Sequence, residues 1–571
     1  MVVAVDVTDE EVRLWSRDED GAVQCERDRD YHPTCYVAAP TDESALSTLR
    51  DDLANDPKVV DAAFERHYTS LRDDERSRVL AVTMDRPSEI ATFARELRTV
   101  REPAQHSPGT YRLYDVDISP KFRYCLDRGR KPTPTDTSDI RALWVTLSTP
   151  QLAAGDVGTL TWGSGWGDDT SIAGVDGDGT DADGTDSARD EAGSDAGERR
   201  PGAGSGPAAH GQRLSPDGDE RAALEALAER LREIDPDVLA LSSADLVPLL
   251  SDRADALDVD LQLGRLPGST QLAGENSYES YGRVGHSPAR YDVPGRAIVD
   301  RSNSFFWHEG KLPGLFDLVE RSWKPLQEAA WASIGTVFTA MQIRQARERD
   351  VLVPWRAWEA ESFTAAATLH DADRGGMTFE PDVGIHEDVV EVDFASLYPN
   401  IMVENGLSPE TVRCDCHAGE GVDAVPGLGY SVCPDVEAPF VPSVLEGLVT
   451  DRAAMKEERA ATDDPDRRAR LDAKISALKW ILVTCFGYQG YRNSKFGRIE
   501  VHESINAYAR EYLLDAKVAL EDAGWRVLHG IVDSLWVAPR ESERSELSNR
   551  ASGSERSERH ASREGERSDP S

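Results

Sequence analysis

The chain has 571 residues, which is long enough for several domains with their own cores. It contains no apolar run of the roughly 18 residues that a membrane-spanning helix needs, so the sequence argues against a membrane protein. The 104 acidic residues outnumber the 64 basic ones, and the formal net charge of −40 argues against a nucleic-acid partner in dilute salt. At about 1 M salt, however, the Debye length is only about 3 Å, and a distant acidic surface would barely repel DNA.

Cysteine and lysine usage adds two indications. Seven cysteines are scattered without a repeating framework, and the opening "MVVAVDVTDEEVRLW" is typical of a strand rather than of a secretory signal. We therefore expect a reducing, cytoplasmic location. Only 10 of the basic residues are lysines, and four of them lie within residues 451–500: Lys456, Lys474, Lys479 and Lys495. This clustering is the first indication of a site.

The first part of the chain divides by composition. Residues 1–140 alternate short strand-like runs with charged helical stretches and predict a mixed α/β domain. Residues 156–220 are rich in Gly, Asp, Ser and Ala and predict a disordered acidic insertion. A calcium-binding loop is the alternative, but the acids do not follow D-x-D-x-D-G with Glu at the twelfth position. From residue 221 the apolar spacing becomes helical, and a helical tract covers "LQEAAWASIGTVFTAMQIRQARERD".

The later elements alternate strands and helices. The segment "DVVEVDFASLYPNIM" predicts a strand that ends at a proline. Residues 443–488 predict two helices joined by the polar segment "ATDDPDRRAR". A pair of strands surrounds "LHGIVDSLWV", and residues 541–571 predict a disordered tail because they lack aliphatic residues for a core.

Asp393 closes the first of these strands. A period of two places Glu391 and Asp393 on one face and Val392 and Phe394 on the other. A carboxylate at a strand end, followed by a backbone carbonyl, can bind a hard cation. A turn or capping role is the alternative for such an Asp.

Thiol and imidazole groups cluster after this strand, in "CDCHAGEGVDAVPGLGYSVC": Cys414, Cys416, His417 and Cys433. These ligand types suit structural Zn²⁺. The C-x-C spacing is tighter than the usual C-x₂₋₄-C, and His417 adjoins Cys416 in the chain. Reduced surface or core thiols are the alternative.

Three cations mark the predicted helix pair. Arg452 and Lys456 are four residues apart and share a helix face, whereas Lys479 lies on the next helix, which a short connection should make antiparallel. Cations that converge between facing helices could grip a triphosphate and neutralise its charge, which is most of what phosphoryl transfer requires. A solvated basic face is the alternative.

These motifs carry a family resemblance. The segment "DFASLYPNI" resembles motif A of the family B DNA polymerases. The segments "KWILVTCFGY" (479–488) and "HGIVDS" (529–534) resemble their motif B, K-x-x-x-N-S-x-Y-G, and motif C, Y-G-D-T-D-S, in the same order and spacing. The segment "LYDVDISPKFRYCLDRG" (113–129) is similar to the N-terminal domain, so the resemblance covers roughly residues 110–540.

Two further stretches, "GYRNSKFGRIEVHESINAYARE" and "AAWASIGTVFTAMQIRQARERDVLVPWR", resemble the divergent second group of archaeal B-type polymerases, often regarded as inactivated. The acidic, lysine-poor composition resembles that of proteins from salt-loving archaea.

The resemblance implies the multidomain α/β and α+β architecture of the family. Its parts would be an N-terminal domain (1–140), a degenerate RNase H-like 3′→5′ exonuclease domain with the acidic insertion (141–350), a palm (351–442 and 489–540), helical fingers (443–488) and a low-complexity tail (541–571).

The resemblance also assigns roles in the palm. Asp393 becomes a ligand of both catalytic Mg²⁺ ions, the Phe394 carbonyl supplies another oxygen, and Asp533 matches the second acid of motif C. Asp393 and Asp533 are therefore the candidate catalytic carboxylates.

The remaining roles concern the substrates, which the resemblance implies are primer–template DNA and a dNTP. The backbone of Ser396 and Leu397 would line the triphosphate, and Tyr398 would pack beneath the sugar as a gate against a 2′-hydroxyl. The phosphates would be held by Arg452, Lys456 and Lys479.

The departures from the family pattern predict a weakened enzyme. Ile531 replaces the first acid of motif C and Val532 its Thr, and on an extended strand Ile531 would share a face with Asp533. Motif B has Val483 for Asn and Phe486 for Tyr. Two-metal catalysis needs enough negative charge to hold two divalent ions about 3.5–4 Å apart, so we expect weaker metal binding and slower synthesis.

By the same resemblance, the exonuclease segment has lost the acids of the family, and we expect the thumb to be missing because low-complexity sequence follows motif C. The residues at the positions of the first and second exonuclease motifs are Thr146, Leu147, Ser148, Ser242 or Ser243, and a shifted Asp245. No Tyr-x-x-x-Asp motif follows, so 3′→5′ hydrolysis should be absent.

The leading hypothesis is a DNA-directed DNA polymerase homologue with impaired synthesis and no proofreading. The alternative is a catalytically inactive DNA-binding or regulatory scaffold derived from a polymerase. A third interpretation is a decayed fragment whose tail results from a frameshift. The phosphate-binding cations suit the first two hypotheses alike, so motif C and the thumb are the features that discriminate between them.

Overall fold

The computed structural model describes residues 2–18, 20–132, 140–164, 212–280, 283–355, 366, 372, 376–414, 416–417 and 425–540. The chain forms two compact units: Met1–Ala360 with Gly447–Gly497, and Glu361–Glu446 with Arg498–Ser571. No helix in these described ranges is both long enough and apolar enough to cross a membrane.

The first unit begins with two antiparallel sheets. The strands are β1 (Val2–Val7), β2 (Val12–Arg17), β3 (Val23–Asp28), β4 (Thr34–Ala38), β5 (Val59–His67), β6 (Ser77–Met84) and β7 (Arg112–Tyr114). The helices are α1 (Glu43–Leu53), α2 (Glu89–Glu96), α3 (Glu102–Gln105) and α4 (Pro120–Asp127), with a π-helical turn at Leu97–Arg101. Strands β1 to β3 form one sheet, and the other has the order β5-β6-β4-β7. Alternating apolar residues of β4 and β6 face α1 and α2, which bury Leu46 and Phe93 against Leu80.

The next region is built on a mixed five-stranded sheet. Its strands are β8 (Ala142–Thr146), β9 (Thr161–Ser164), β10 (Gln212–Arg213), β11 (Val238–Leu241), β12 (Thr270–Ala273), β13 (Asn276–Ser280), β14 (Arg283–Ser287), β15 (Arg290–Asp292) and β16 (Ala297–Asp300). The sheet order is β10-β9-β8-β11-β16, with β8, β11 and β16 parallel; β12 pairs with β15, and β13 with β14. Helices α5 (Thr149–Ala154), α6 (Glu220–Ile234) and α7 (Leu246–Leu257) accompany it. The parallel centre is buried, as the continuous apolar runs "ALWV" and "VLAL" require.

The predicted disordered insertion is wrong at both of its ends. Strands β9 and β10 pair with each other, and Leu160 and Leu214 are buried in the core beneath the sheet. These flanks of the acidic segment contain apolar residues, which is why they join the sheet. Residues 165–211 and the predicted tail, 541–571, lie outside the described residues.

The remaining helices are α8 (Phe305–Ser322), α9 (Leu326–Ala330), α10 (Ile334–Glu348), α11 (Leu397–Glu404), α12 (Phe440–Ala461), α13 (Pro465–Gly490) and α14 (Ile499–Asp522). In the first unit α8 packs closely on α13, since a Cβ at Gly314 would lie 2.9 Å from the Ala473 carbonyl oxygen. The two predicted helices of the fingers are present, but the linker is shorter than predicted and covers only 462–464. Asp464 accepts hydrogen bonds from the first turn of α13, and Pro465 suits the first helical position.

The second unit contains a four-stranded antiparallel sheet. Strands β17 (Thr378–Phe379), β18 (Val390–Asp393), β19 (Trp525–Ile531) and β20 (Ser534–Pro539) have the order β17-β19-β20-β18. Leu513 of α14 is buried against Leu535 and Val537 of β20. The strand of motif A ends at Asp393, which confirms the strand-end position predicted for that residue, and it does not extend to Pro399. Pro399 lies in the first turn of α11, where its missing N–H has no intrahelical partner to lose.

Candidate active site

Motifs A and C meet in the sheet of the second unit. Strand β18 runs antiparallel to β20 with Asp393 opposite Ser534. Ser534 Oγ donates a hydrogen bond to Asp393 Oδ2 at 3.0 Å. The Phe394 N–H donates to the Asp533 carbonyl at 2.8 Å. The sheet therefore brings the two predicted carboxylate residues to adjoining positions on neighbouring chain segments.

Motif C is a tight hairpin rather than an extended strand. Ile531 pairs with Ser534, so Val532 and Asp533 form the two-residue turn between β19 and β20. The prediction that Ile531 and Asp533 share the face of one extended strand is wrong for this reason. Ile531 has 37% of its surface exposed, so the position of the missing acid is open to solvent.

The turn has an unusual backbone. Val532 has φ of 51°, although a β-branched residue strongly disfavours positive φ. Its side chain is buried, and its N–H donates to the Met377 carbonyl at 2.9 Å. A Cβ at Gly376 would lie 2.7 Å from Val532 Cγ2, so only glycine leaves room for the valine. The segment before β17 therefore holds Val532 in place and, through it, the adjoining Asp533.

The residues predicted to contact the triphosphate surround the start of α11. Ser396 precedes the helix with φ of 53°, and Leu397 is its first residue and is buried. Tyr398 follows and is half-buried. Since the first backbone N–H groups of a helix have no intrahelical acceptor, this end of α11 suits an anion.

The donors of this site fit hard divalent cations. Asp393 is exposed and Asp533 is half-buried, so both carboxylates remain accessible. Carboxylate and carbonyl oxygens are the ligands that Mg²⁺ prefers. Glu391 lies two residues before Asp393 on the exposed edge strand β18 and shares the strand face of Asp393.

The predicted phosphate-binding cations lie in the first unit. The Arg459–Asp472 pair at 2.6 Å and the Arg452 Nε to Ile475 carbonyl bond at 3.3 Å show that α12 and α13 run antiparallel, as predicted. Burial lowers the pKa of Arg452 from its usual value. Lys479, one turn beyond Ile475, is exposed.

Lys456 lies one turn beyond Arg452 on α12 and is also exposed. In motif B, Val483 is 41% exposed, and Tyr488 hydrogen-bonds to Thr339 and packs edge-on against Phe338 of α10. Tyr488, the last residue of the segment that resembles motif B, is thus part of the packing between α10 and α13.

The five-stranded sheet β10-β9-β8-β11-β16 lies where the sequence predicts the degenerate exonuclease domain and is called the exonuclease-like sheet below; the last residue of its strand β8 is a threonine, not an acid. Thr146 ends that strand, and its Oγ1 accepts a hydrogen bond from Arg301 Nη2. Ser242, after β11, donates from Oγ to the Leu147 carbonyl at 3.1 Å and accepts from the Leu147 N–H. Burial raises the pKa of Asp300, at the end of β16, although hydrogen bonds from Ser302 oppose the shift. The positive charge of Arg301 beside Thr146 disfavours the binding of a divalent cation at the end of β8.

Ser148 and Asp245 also lie on the elements that the sequence indicated. Ser148 precedes α5, and Asp245 precedes α7 and accepts a hydrogen bond from Ser243 Oγ at 3.2 Å.

The four thiol and imidazole groups of the second unit form a compact cluster, whose ligand atoms all lie within 4.8 Å of one another. Its members are Cys414, Cys416, His417 and Cys433. His417 Nδ1 lies 3.5, 3.2 and 3.7 Å from the sulfurs of Cys414, Cys416 and Cys433. Burial would raise the pKa of Cys414, but hydrogen bonds from His417 and Cys416 lower it to about 7. The cluster can bind a metal.

The sequence motifs did not indicate two residues that contact these sites, Ser534 and Arg301. Ser534 is the final residue of motif C, and its pairing with Asp393 could have been expected from a strand pair around that motif. No sequence signal indicates Arg301, because its contact with Thr146 depends on how β8 and β16 flank β11.

The second unit thus places aspartates from two adjoining chain segments beside the start of a helix, an arrangement that can bind a divalent cation and a phosphate. Residues 334–546 match the model of DNA polymerase family B. DNA polymerase 2 of Saccharolobus solfataricus is 35% identical over 227 residues, covering 39% of this chain and 33% of that relative. DNA polymerase 1 of Pyrococcus abyssi is 24% identical over 589 residues, covering 92% of this chain and 69% of the relative.

Structural comparison agrees with these matches. The family B DNA polymerase from Pyrobaculum calidifontis superposes with a TM-score of 0.63 at 23% identity, covering 95% of this chain and 74% of that one. The fold is therefore that of a family B polymerase. Residues 334–546 match DNA polymerase family B, and most of the chain is similar to archaeal DNA polymerases.

Proposed function

We propose that the chain catalyses DNA-directed nucleotidyl transfer from a dNTP to a primer 3′-hydroxyl, slowly and without proofreading. The observation that carries the proposal is the pairing of β18 with β20, which sets Asp393 opposite Ser534 and next to Asp533. Asp393, the Phe394 carbonyl and Asp533 would hold Mg²⁺. Bound divalent ions supply charge neutralisation for the phosphates and activation of the attacking hydroxyl.

The other groups would bind and orient the nucleotide. The backbone of Ser396 and Leu397 at the start of α11 would face the triphosphate, and Tyr398 would pack against the sugar. The phosphates would be bound by Arg452, Lys456 and Lys479. Positioning of this kind supplies most of the catalysis in phosphoryl transfer, since the protein has little covalent chemistry to perform.

Slow synthesis follows from the solvent-exposed Ile531, which leaves two aspartates where the family has a third acid. Absent proofreading follows from the Thr146–Arg301 contact in the exonuclease-like sheet. The second candidate, an inactive DNA-binding scaffold, is favoured by these same two losses. The acidic, lysine-poor composition favours operation in molar salt for either function.

Primer extension in molar KCl with Mg²⁺ or Mn²⁺ tests the proposal, with Asp393→Ala as the inactivating variant. Asp382→Ala is the matched control, because Asp382 is an exposed aspartate of the same unit whose ion pair with Arg526, at 3.8 Å, is loose. We expect extension by the wild type and the control and none by Asp393→Ala. Equal extension by all three would contradict the proposal, and DNA binding without extension would favour the scaffold.

A further inference from the structure

We propose that Cys414, Cys416, His417 and Cys433 bind a single tetrahedral Zn²⁺ ion that ties the segment between α11 and α12 to helix α14. The site is separate from the candidate active site in its chemistry. Soft sulfur and imidazole donors select Zn²⁺ over the Mg²⁺ that carboxylates prefer.

The ligand atoms lie near the spacing of a tetrahedral site, with all four within 4.8 Å of one another. Zn–S bonds of about 2.3 Å and Zn–N bonds of about 2.0 Å place tetrahedral ligand atoms about 3.5–3.8 Å apart. The sulfurs of Cys416 and Cys433 are 3.5 Å apart, and His417 Nδ1 lies 3.2–3.7 Å from the three sulfurs. The adjacency of Cys416 and His417 in the chain therefore does not prevent both from reaching one ion.

His417 is also oriented as a zinc ligand. Its Nδ1 faces the three sulfurs, and its Nε2 lies 3.4 Å from Asp435 Oδ2. A metal-bound histidine commonly donates its other N–H to a carboxylate, which fixes the ring and strengthens the ligand. Asp435 would be a positioning residue for this ligand rather than a ligand itself.

Two of the sulfurs come from a backbone ribbon. Val412 and Val432 form an antiparallel bridge, and the Cys433 N–H donates to the Thr411 carbonyl at 2.9 Å. Cys414 and Cys433 are buried on the two strands of this ribbon. Their positions are therefore set by the fold and need no metal to bring them together.

The ribbon is anchored on α14. Tyr430 donates to Glu503 Oε2 at 2.7 Å, and the Arg413 guanidinium lies over the Tyr430 ring at 5.1 Å and 3.5 Å from Glu500. The exposed Cys416 and the adjoining His417 lie beyond the ribbon, in the turn that follows Cys414. A zinc ion would join that turn to the ribbon and so to α14.

Metal analysis of the purified full-length chain is the first test. We expect about one zinc per chain from the four-ligand set, and loss of most of it in Cys416→Ser. Cys25→Ser is the matched control, because Cys25 is an exposed thiol of β3 in the first unit, and it should retain the metal. Less than about a tenth of a zinc ion per wild-type chain after refolding with excess Zn²⁺ would overturn the proposal.

Cobalt substitution provides a second test, which uses the wild-type chain and so does not depend on whether Cys416→Ser folds. Replacement of Zn²⁺ by Co²⁺ in the wild type should give the strong visible bands of a tetrahedral thiolate site. Asp435→Asn should leave the spectrum in place and weaken Co²⁺ affinity by about 10–100-fold. Weak octahedral bands, or a Cys416–Cys433 disulfide found by mass spectrometry under non-reducing conditions, would refute zinc binding. Activity is not the readout, so failure here leaves the polymerase proposal standing.

Discussion

Ser534 Oγ lies 3.0 Å from Asp393 Oδ2 and donates a hydrogen bond that joins the last residue of motif C to the carboxylate of motif A. The bond constrains the Asp393 side chain toward β20, the strand that continues from Asp533. The hydroxyl group also gives Asp393 Oδ2 a hydrogen-bond donor within the protein.

Ser534→Ala should therefore reduce the rate of primer extension without abolishing it. Hydrogen bonds to charged groups contribute about 1.5–3 kcal/mol when buried, but Asp393 is exposed, so we expect a loss of about 2- to 10-fold. Steady-state kinetics across a Mg²⁺ titration measure it. Ser251→Ala, which removes a hydroxyl bonded to the Val247 carbonyl in α7, is the control and should leave the rate unchanged. A rate for Ser534→Ala equal to that of the control would mean that the hydrogen bond does not position Asp393.

Ile531→Asp should strengthen metal binding and raise extension. Ile531 is 37% exposed at the end of β19, so a carboxylate there stays hydrated and costs little stability. We expect a gain of about tenfold or more in Mg²⁺-dependent rate, equivalent to about 1.4 kcal/mol or more in the barrier.

Ile531→Asn is the control for that gain, since it has nearly the same shape as the aspartate without its charge. Only the aspartate should lower the Mg²⁺ concentration that half-saturates extension. A similar rise in both variants would show that removal of the apolar side chain, and not the added charge, is responsible.

Gly376→Ala should destabilise the hairpin of motif C. The added Cβ would lie 2.7 Å from Val532 Cγ2, and Val532 already has φ of 51°, so the turn must shift. Overpacking of this kind costs about 1–3 kcal/mol, and we expect a lower Tm and weaker extension. Gly447→Ala in α12 is the control. Its Cβ would meet nothing within 4 Å, and alanine favours a helix, so Tm should stay the same or rise. Equal melting temperatures for the two variants would show that the packing around Val532 is not tight.

The sequence predicts the active-site elements better than their contacts. The strand at Asp393 and the strands on either side of Asp533 follow from local patterns, since short apolar runs favour strands whatever their partners, but the tight turn at Val532 and Asp533 was not predicted. Their pairing follows from the order of the family motifs.

The contacts depend on tertiary packing. The positive φ of Val532 contradicts its intrinsic preference and is held by Gly376, which is 156 positions earlier in the chain. Arg301 meets Thr146 across 155 positions because their strands lie in one sheet. The C-x-C spacing of Cys414 and Cys416 departs from common zinc motifs, yet the backbone bridge between Val412 and Val432 brings Cys414 and Cys433 together.

The exonuclease-like sheet should not hydrolyse DNA. Thr146 and Arg301 lie where a divalent ion would need a carboxylate, so a 3′-labelled primer should remain intact with Mg²⁺ or Mn²⁺. Asp245→Asn and Asp300→Asn should leave the result unchanged. Metal-dependent shortening of the primer that either variant removes would show that these two acids still bind a catalytic ion.

Lys479→Ala should weaken dNTP binding. The side chain is exposed on α13, one turn beyond the Ile475 carbonyl that Arg452 contacts, so it can reach a phosphate without first breaking a buried contact. Loss of one charged contact to phosphate corresponds to about 1.5–3 kcal/mol, and we expect the KM for dNTP to rise at least about tenfold. Lys474→Ala is the control on the same helix, because that ammonium lies 3.9 Å from Asp317, and its KM should barely change. Since the charge of both variants is the same, a shared rise in KM would indicate a general loss of attraction for nucleotide. A rise confined to Lys479→Ala would indicate a specific phosphate contact, and no rise in either would remove Lys479 from the nucleotide site.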